Sequence, residues 1–298
     1  MVALLSNSFE NTTATGDDGD PITIASSDDG GAGDPFRFVS GDVQFDTGIV
    51  IVGTRSALLS APVAGNTALF DWDVPTPVDE IWIRHFIQVN DATPTSDFVI
   101  LDVNSSNRTS AAMDIRLRST GKLRFRIPSS IVYSDSTYTL VDATKIRLET
   151  HIKALTATTV AAEARLFYGA NLQGITPDET FGDIATDFTA GDGLFGRVTF
   201  GIISTTGQAG YEMTLDDVAV SIDGWLGPSV PPVPVNVVAT PVSSTAINVN
   251  WDDFATATGY DVERDGVVIA TDVSASDLAD SGLLAATTYD YRVRAVLP

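Results

Sequence analysis

Residues 213–228 read MTLDDVAVSIDGWLGP, and the phase of their apolar positions decides the kind of protein to expect. Met213 and Leu215 point to one side of an extended chain, and Val218, Val220 and Ile222 resume the period of two one residue out of step. One extra residue in a strand is a β-bulge, and here it falls on Asp216-Asp217. The expectation is the closing strand of a large β-sandwich, kinked where it carries two carboxylates, followed by an exit into a second domain. Sandwich domains commonly bring their ends together. Leu4–Glu10, LLSNSFE, is therefore the expected partner, with Glu10 beside Asp216 and Asp217.

Working outward, short alternating runs recur at Ile49–Val52, Ala68–Trp72, Ile81–Val89, Phe98–Val103, Asp114–Leu117, Lys122–Ile127, Ile146–Ile152, Ala161–Tyr168 and Val198–Ile203. Turn residues separate them, which predicts an all-β sandwich. A helical turn is expected only near Pro177–Phe181. In GPSVPPVPV, residues 227–235, four prolines enforce an extended, semi-rigid connection. The predicted domains are 1–228 and 229–298.

Composition bounds the partners. The chain has 298 residues and no cysteine, hence no disulfide framework and no thiolate chemistry. Its net charge of −22 argues against nucleic acid or an anionic membrane as partner for the whole molecule. No apolar run is long enough to span a membrane, and the opening MVALLSN lacks the basic start of a signal peptide. A protein made in the cytoplasm and left unprocessed is the expectation.

Several pieces of the first domain together resemble the concanavalin A-like and laminin-G-like jelly rolls and related carbohydrate-binding modules. They are NSFE near the start, GDPF at 33–36, WIRHFIQV at 82–89, the Gly121-Lys122-Leu123 hairpin, RLETHIKA at 147–154, ARLFYG at 164–169 and LDDVAV at 215–220. In those modules the residues matching Glu10, Asp216 and Asp217 hold a structural calcium, so the resemblance implies a Ca²⁺ site on these three. Calcium takes six to eight oxygens, which such carboxylates and loop carbonyls can supply. The alternative is that the acids cap loop N–H groups or end the strand.

Residues 231–298 resemble a fibronectin type III domain through the Pro-rich entry, AINVNW at 246–251, GYDVERDG at 259–266 and DSGLLAATTYDYRVRAV at 280–296. Tyr289 matches the tyrosine whose hydroxyl ties a loop to a strand in that family. The family's last strand is missing. Tyr289, Tyr291, Val293 and Ala295 would then share one face of an open edge, with Arg292 and Arg294 on the other. Such an edge is a template for another chain.

Catalytic patterns are sparse. Glycan-cleaving jelly rolls need two carboxylates on one face, and no Glu-x-Asp-x-x-Glu type cluster occurs. Glu149 and Glu163 stand among Arg and Lys. His85 lies on an apolar face, as expected of a hydrogen-bonded core residue. Trp72, Trp82 and Trp225 read as buried, which leaves no aromatic platform for sugar. The hairpin 114–127 is the anomaly: Arg116, Arg118, Lys122, Arg124 and Arg126 face away from the buried Ile115, Leu117, Leu123, Phe125 and Ile127. Lys145, Arg147, Lys153 and Arg165 are expected to extend this basic face. Either Glu149, Glu163 and the acidic loops answer it, or it docks an acidic neighbour or an anionic glycan.

A jelly roll followed by a fibronectin module, without cysteine or signal sequence, looks like a non-enzymatic structural or adhesive virion protein, such as a minor tail or surface protein of a tailed bacteriophage. Its expected partners are other virion proteins, copies of itself and a host-surface glycan, on the virion surface. The alternative is an accessory carbohydrate-binding fragment of a secreted, extracellular bacterial enzyme that degrades glycans.

Overall fold

A computed structural model describes residues 5–7, 9, 19–23, 36–49, 51, 55–61, 63, 65–91, 93–107, 111–128, 132–157, 159–187, 193–204, 210–228, 234, 236–253 and 259–296. The chain divides into two compact units, Met1–Ser229 and Val230–Pro298. Both are built of strands; the described residues include no α-helix, only a 3₁₀ turn at Gly169–Asn171.

The first unit is a jelly-roll-like sandwich of two antiparallel sheets. The eight-stranded sheet runs, edge to edge, Glu179–Asp187, Thr159–Tyr168, Lys145–Thr156, Glu80–Val89, Tyr211–Ser221, Ser56–Ala61 and Asp42–Asp46. Leu5–Asn7 completes it by pairing with Val218–Val220. The seven-stranded sheet runs Val132–Thr139, Lys122–Ile127, Ala111–Leu117, Phe98–Ser105, Phe195–Ser204, Ala68–Val78 and Phe38–Ser40. Alternate residues of both sheets fill one core, in which Ile81, Ile83, Ile87, Phe70, Leu101, Ile115, Phe125 and Phe200 are buried. Each such side chain contributes about 1.5–3 kcal/mol on leaving water.

The strand Tyr211–Ser221 shows how the ends meet. Against Glu80–Val89 its register moves from Asp216–Phe86 to Ala219–Arg84, three residues against two. Asp217 takes a φ of 37° there. Before the bulge the strand pairs with Ser56–Ala61 and after it with Leu5–Asn7, so one side of a single strand serves two partners. Ile222 lies past the strand's end and is exposed. From Leu5–Asn7 the chain carries Phe9 into the core, where it meets Phe70 at 5.2 Å; Phe36 stacks on Trp72 at 4.4 Å.

Some expected elements are corrected. Ile49–Val52 is not a strand in its described residues: Asp46 accepts the N–H groups of Gly48 and Ile49 and holds a turn. The expected turn near Pro177 comes earlier, at Gly169–Asn171, and Glu179 begins a strand. Glu179–Asp187 and Val132–Thr139 escape the apolar pattern because each ends a sheet, where few side chains are buried. His85 is fully buried against Phe200 at 5.5 Å, but neither ring nitrogen has a hydrogen-bond partner among the described residues. Burial lowers its pKa to about 3, so it stays neutral.

The second unit packs two three-stranded sheets on a core of Val249, Trp251, Tyr260, Val262, Val293 and Ala295. One sheet is Val238–Ser243, Ala246–Asn250 and Asp277–Ser281; the other is Val267–Val273, Gly259–Arg264 and Tyr291–Val296. Asp265 and Gly266, at φ 51° and 81°, make the tight turn between two strands. The Tyr289 hydroxyl accepts the Leu284 N–H at 2.9 Å. Tyr291–Val296 is an edge strand among the described residues; Arg294 pairs with Asp261 at 2.6 Å and Arg292 lies 3.9 Å from Glu263.

Candidate functional site

The outward face of the seven-stranded sheet gathers the unusual chemistry of the first unit. Because directly opposed residues share a face, the pairings define a row across all its strands. The row is Phe38, Asp71, Thr199, Asp102, Asp114, Arg126 and Tyr133. Its ends are aromatic and open, with Phe38 43% and Tyr133 53% exposed, whereas Asp71, Thr199 and Asp114 between them are buried. With the partly exposed Arg37, Arg116 and Arg126 that pair with them, these residues form a sunken polar band, a trough, between the two rings. At about 4.8 Å per strand the two rings stand about 29 Å apart.

Charges on this face come in balanced groups of two arginines and two aspartates. At the first, Arg37 lies 2.6 Å from Asp71 and 3.3 Å from Asp73, while Arg197 lies 3.0 Å from Asp73. In the middle, Arg116 and Arg126 both clasp Asp114, with Asp102 directly across from it on the neighbouring strand. At the third, Arg118 bridges Asp97 at 3.3 Å and Asp135 at 2.8 Å, and Arg124 binds Asp135 at 2.6 Å. The Arg124 guanidinium also lies 3.9 Å from the centre of the Tyr133 ring. Lys122 has no ion pair among the described residues.

These environments pull the carboxyls apart. The hydrogen bond from Arg124 holds Asp135 below the usual carboxylate range. Burial pushes Asp71 up, against the hydrogen bond from Arg37. Asp102 is pushed up to about 6, first by burial and further by Asp114; its Oδ2 accepts from Asn104, and its buried Oδ1 has no partner among the described residues.

Sequence reasoning placed Arg116, Arg118, Lys122, Arg124 and Arg126 on one outward face, where they lie, but not their partners. The acids that answer them are Asp97, Asp114 and Asp135, not Glu149 and Glu163. Lys145, Arg147, Lys153 and Arg165 do not extend the face, because after Val132–Thr139 the chain crosses to the other sheet. The opposed pair Asp102 and Asp114 was missed. It lies twelve residues apart in sequence, and the signal was alternation: FVILDVN and AAMDIRL each turn one Asp away from the core.

The outward face of the eight-stranded sheet is covered in part. Arg147 is fully buried, 3.0 Å from Glu149 and 3.6 Å from the Phe167 ring centre, and it donates to the carbonyls of Leu172 and Gly174. Trp82 is half-buried and stacks on His151 at 4.7 Å; Trp225 lies under the Arg165 guanidinium at 3.6 Å. Both rings thus carry protein partners, and Trp72 is core. Glu10 lies outside the described residues. Asp216 accepts the Ile51 N–H through Oδ2 at 3.0 Å. Asp217 binds Arg84 at 2.7 Å, and Arg84 donates to the Gly227 carbonyl. The two acids therefore fasten a loop and the exit of the unit, and a Ca²⁺ there would have to share Asp217 with a guanidinium.

No family model matches the chain. A stretch of 68 residues, 22% of the chain, is 43% identical to part of an α-amylase of Niallia circulans, of which it spans 5%. A stretch of 65 residues, also 22% of the chain, is 38% identical to part of a poly(3-hydroxybutyrate) depolymerase of Ralstonia pickettii, of which it spans 13%. The chain thus matches only a small fraction of these curated relatives. Among solved structures, the fold is similar to a PL-14 alginate lyase from Aplysia kurodai: TM-score 0.50, 9% identity, 74% of this chain and 99% of that one.

Proposed function

We propose that the first unit is a non-catalytic carbohydrate-binding module and the second a fibronectin type III-like spacer, together an accessory part of an extracellular glycan-degrading enzyme. The observation that carries this reading is the trough of paired Arg and Asp between the open rings of Phe38 and Tyr133. Such a floor donates and accepts hydrogen bonds along its length, and aromatic rings supply apolar surface with defined geometry. The relatives favour this reading over the virion one. An α-amylase and a poly(3-hydroxybutyrate) depolymerase differ in the chemistry their names denote, so the short segment each shares with this chain suits a spacer better than a catalyst.

Binding is favoured over catalysis by the state of the carboxylate pair. Asp102 and Asp114 oppose each other as an acid and a nucleophile would. Asp114, however, is buried and clasped by two guanidiniums, which occupy the lone pairs a nucleophile or base must offer.

The test is a panel of polysaccharides presented to the full chain, with binding and release of reducing sugar both measured. At least one glycan is expected to bind without being cut, and Tyr133→Ala and Phe38→Ala are each expected to lower affinity about tenfold while leaving stability nearly unchanged. Failure to bind any member, or reproducible release of reducing sugar, overturns the reading.

A further inference from the structure

The comparison with an alginate lyase and the arginines of the hairpin both invite a polyanionic ligand, yet the charge arrangement says otherwise. We propose that the trough takes a neutral, hydroxyl-rich glycan lying across the strands; this rests on the carbohydrate-binding reading above and names its ligand class.

The first argument is local balance. The three groups Arg37–Arg197–Asp71–Asp73, Arg116–Arg126–Asp102–Asp114 and Arg118–Arg124–Asp97–Asp135 each contain two cations and two anions, and each arginine lies within 3.3 Å of an aspartate. A ligand carboxylate could claim a guanidinium fully only by drawing it off an aspartate. Asp71 and Asp114, both buried, would each lose one of the two guanidiniums beside them, which opposes the exchange. A hydroxyl asks for no such exchange: it donates to or accepts from an ion pair that stays intact.

The second argument is the surrounding field. The chain carries −22, so a polyanion approaching a floor whose arginines are already paired meets net repulsion from beyond it, with Lys122 as the one unanswered cation of the described face, and a neutral chain meets none. The third is the boundary of the trough. Phe38 and Tyr133 stand exposed at its two ends, with Arg37 5.7 Å from the Phe38 ring centre and Arg124 3.9 Å from that of Tyr133. The exposed ring surface that remains can stack on the C–H face of a sugar ring, an interaction indifferent to ligand charge.

The experiment measures binding of the full chain to neutral glycans (soluble starch, xylan, mixed-linkage β-glucan, mannan) and to alginate and polygalacturonate, each at low and high salt. Supporting results are a best ligand from the neutral set, affinity that stays within about twofold between the two salts, and about tenfold weakening in Tyr133→Ala. Preference for alginate or polygalacturonate, weakened by salt, overturns the neutral-ligand inference while leaving the carbohydrate-binding reading standing. Neutral-glycan binding unaltered in both Tyr133→Ala and Phe38→Ala places the ligand elsewhere and overturns it too. Binding to neither set overturns both.

Discussion

The two outward faces of the large sandwich use the same chemical pieces to opposite ends. On the eight-stranded sheet, Arg84, Arg147, Glu149 and Asp217 are sealed beneath other parts of the chain: Arg147 reaches the carbonyls of Leu172 and Gly174, and Arg84 reaches Gly227. There an ion pair is a fastener. On the seven-stranded sheet the arginines stay partly open, with Arg116 26% and Arg126 29% exposed over a buried Asp114, and their pairs join neighbouring strands rather than buried carbonyls of a loop. Coverage, not composition, separates these two sets of pairs, and coverage sets what each contributes. A buried pair whose partner is removed leaves an uncompensated charge in a low dielectric, whereas a partly solvated arginine is largely replaced by water.

The largest expected effect follows directly. Arg147→Ala removes the charge beside buried Glu149 and releases two loop carbonyls, and should lower stability by about 3–5 kcal/mol. Arg116→Ala should cost no more than about 1 kcal/mol, because Arg126 remains on Asp114. Chemical denaturation of the two variants measures the difference. Equal losses would mean that the faces are energetically alike and that the trough is as structural as the covered side.

Much of this was legible in the sequence, and what was not has a common cause. Alternation in MTLDDVAVSID revealed the strand and its bulge, because one buried face makes register visible as phase. The same alternation showed that the hairpin cations share an outward face. It could not show that Asp114, on their own strand, and Asp135, on the next, answer them, since pairing across strands depends on register with residues far along the chain. The strands Asp42–Asp46 and Ser56–Ala61 were missed, and the apolar run Ile49–Val52 was expected instead, because an aspartate that accepts two backbone N–H groups makes a turn beside residues that look apolar. That Arg147, Lys153 and Arg165 belong to the other sheet follows from a crossover, which no local pattern records.

A second, smaller effect probes the trough itself. Asp102 has its carboxyl raised to about 6 in the folded state, from an ordinary value near 3.8, by burial. The folded protein therefore holds this proton more tightly than the unfolded chain does. Below both values the group contributes no penalty. The penalty grows as pH rises from about 4 to about 6 and is complete above that, reaching about 2–3 kcal/mol for a shift of this size. Asp102→Asn keeps the shape and removes the charge, so it should be more stable than the parent at pH 7 and nearly equal to it at pH 4. Parallel pH–stability curves for parent and variant would show that Asp102 titrates as it does in water, and that the floor of the trough is wetter than its burial implies.

The smallest expected effect concerns the strand from which the fold was read. A structural calcium at Asp216 and Asp217 would place a doubly charged ion beside the Arg84 guanidinium, which already lies 2.7 Å from Asp217. With Asp216 accepting the Ile51 N–H and Asp217 holding Arg84, the bulge has a fastening role that needs no metal. A site that bound calcium in the folded state alone would add about 2.7 kcal/mol at a hundred times its Kd, and that stabilisation would vanish in chelator. The fastening account expects neither: thermal unfolding in calcium and in chelator should coincide, while Asp217→Asn should loosen the exit segment and raise hydrogen exchange at residues 224–228. A calcium-dependent rise in Tm that disappears in Asp217→Asn would show that Arg84 yields its carboxylate to a metal, and the bulge would then be a metal site rather than a fastener.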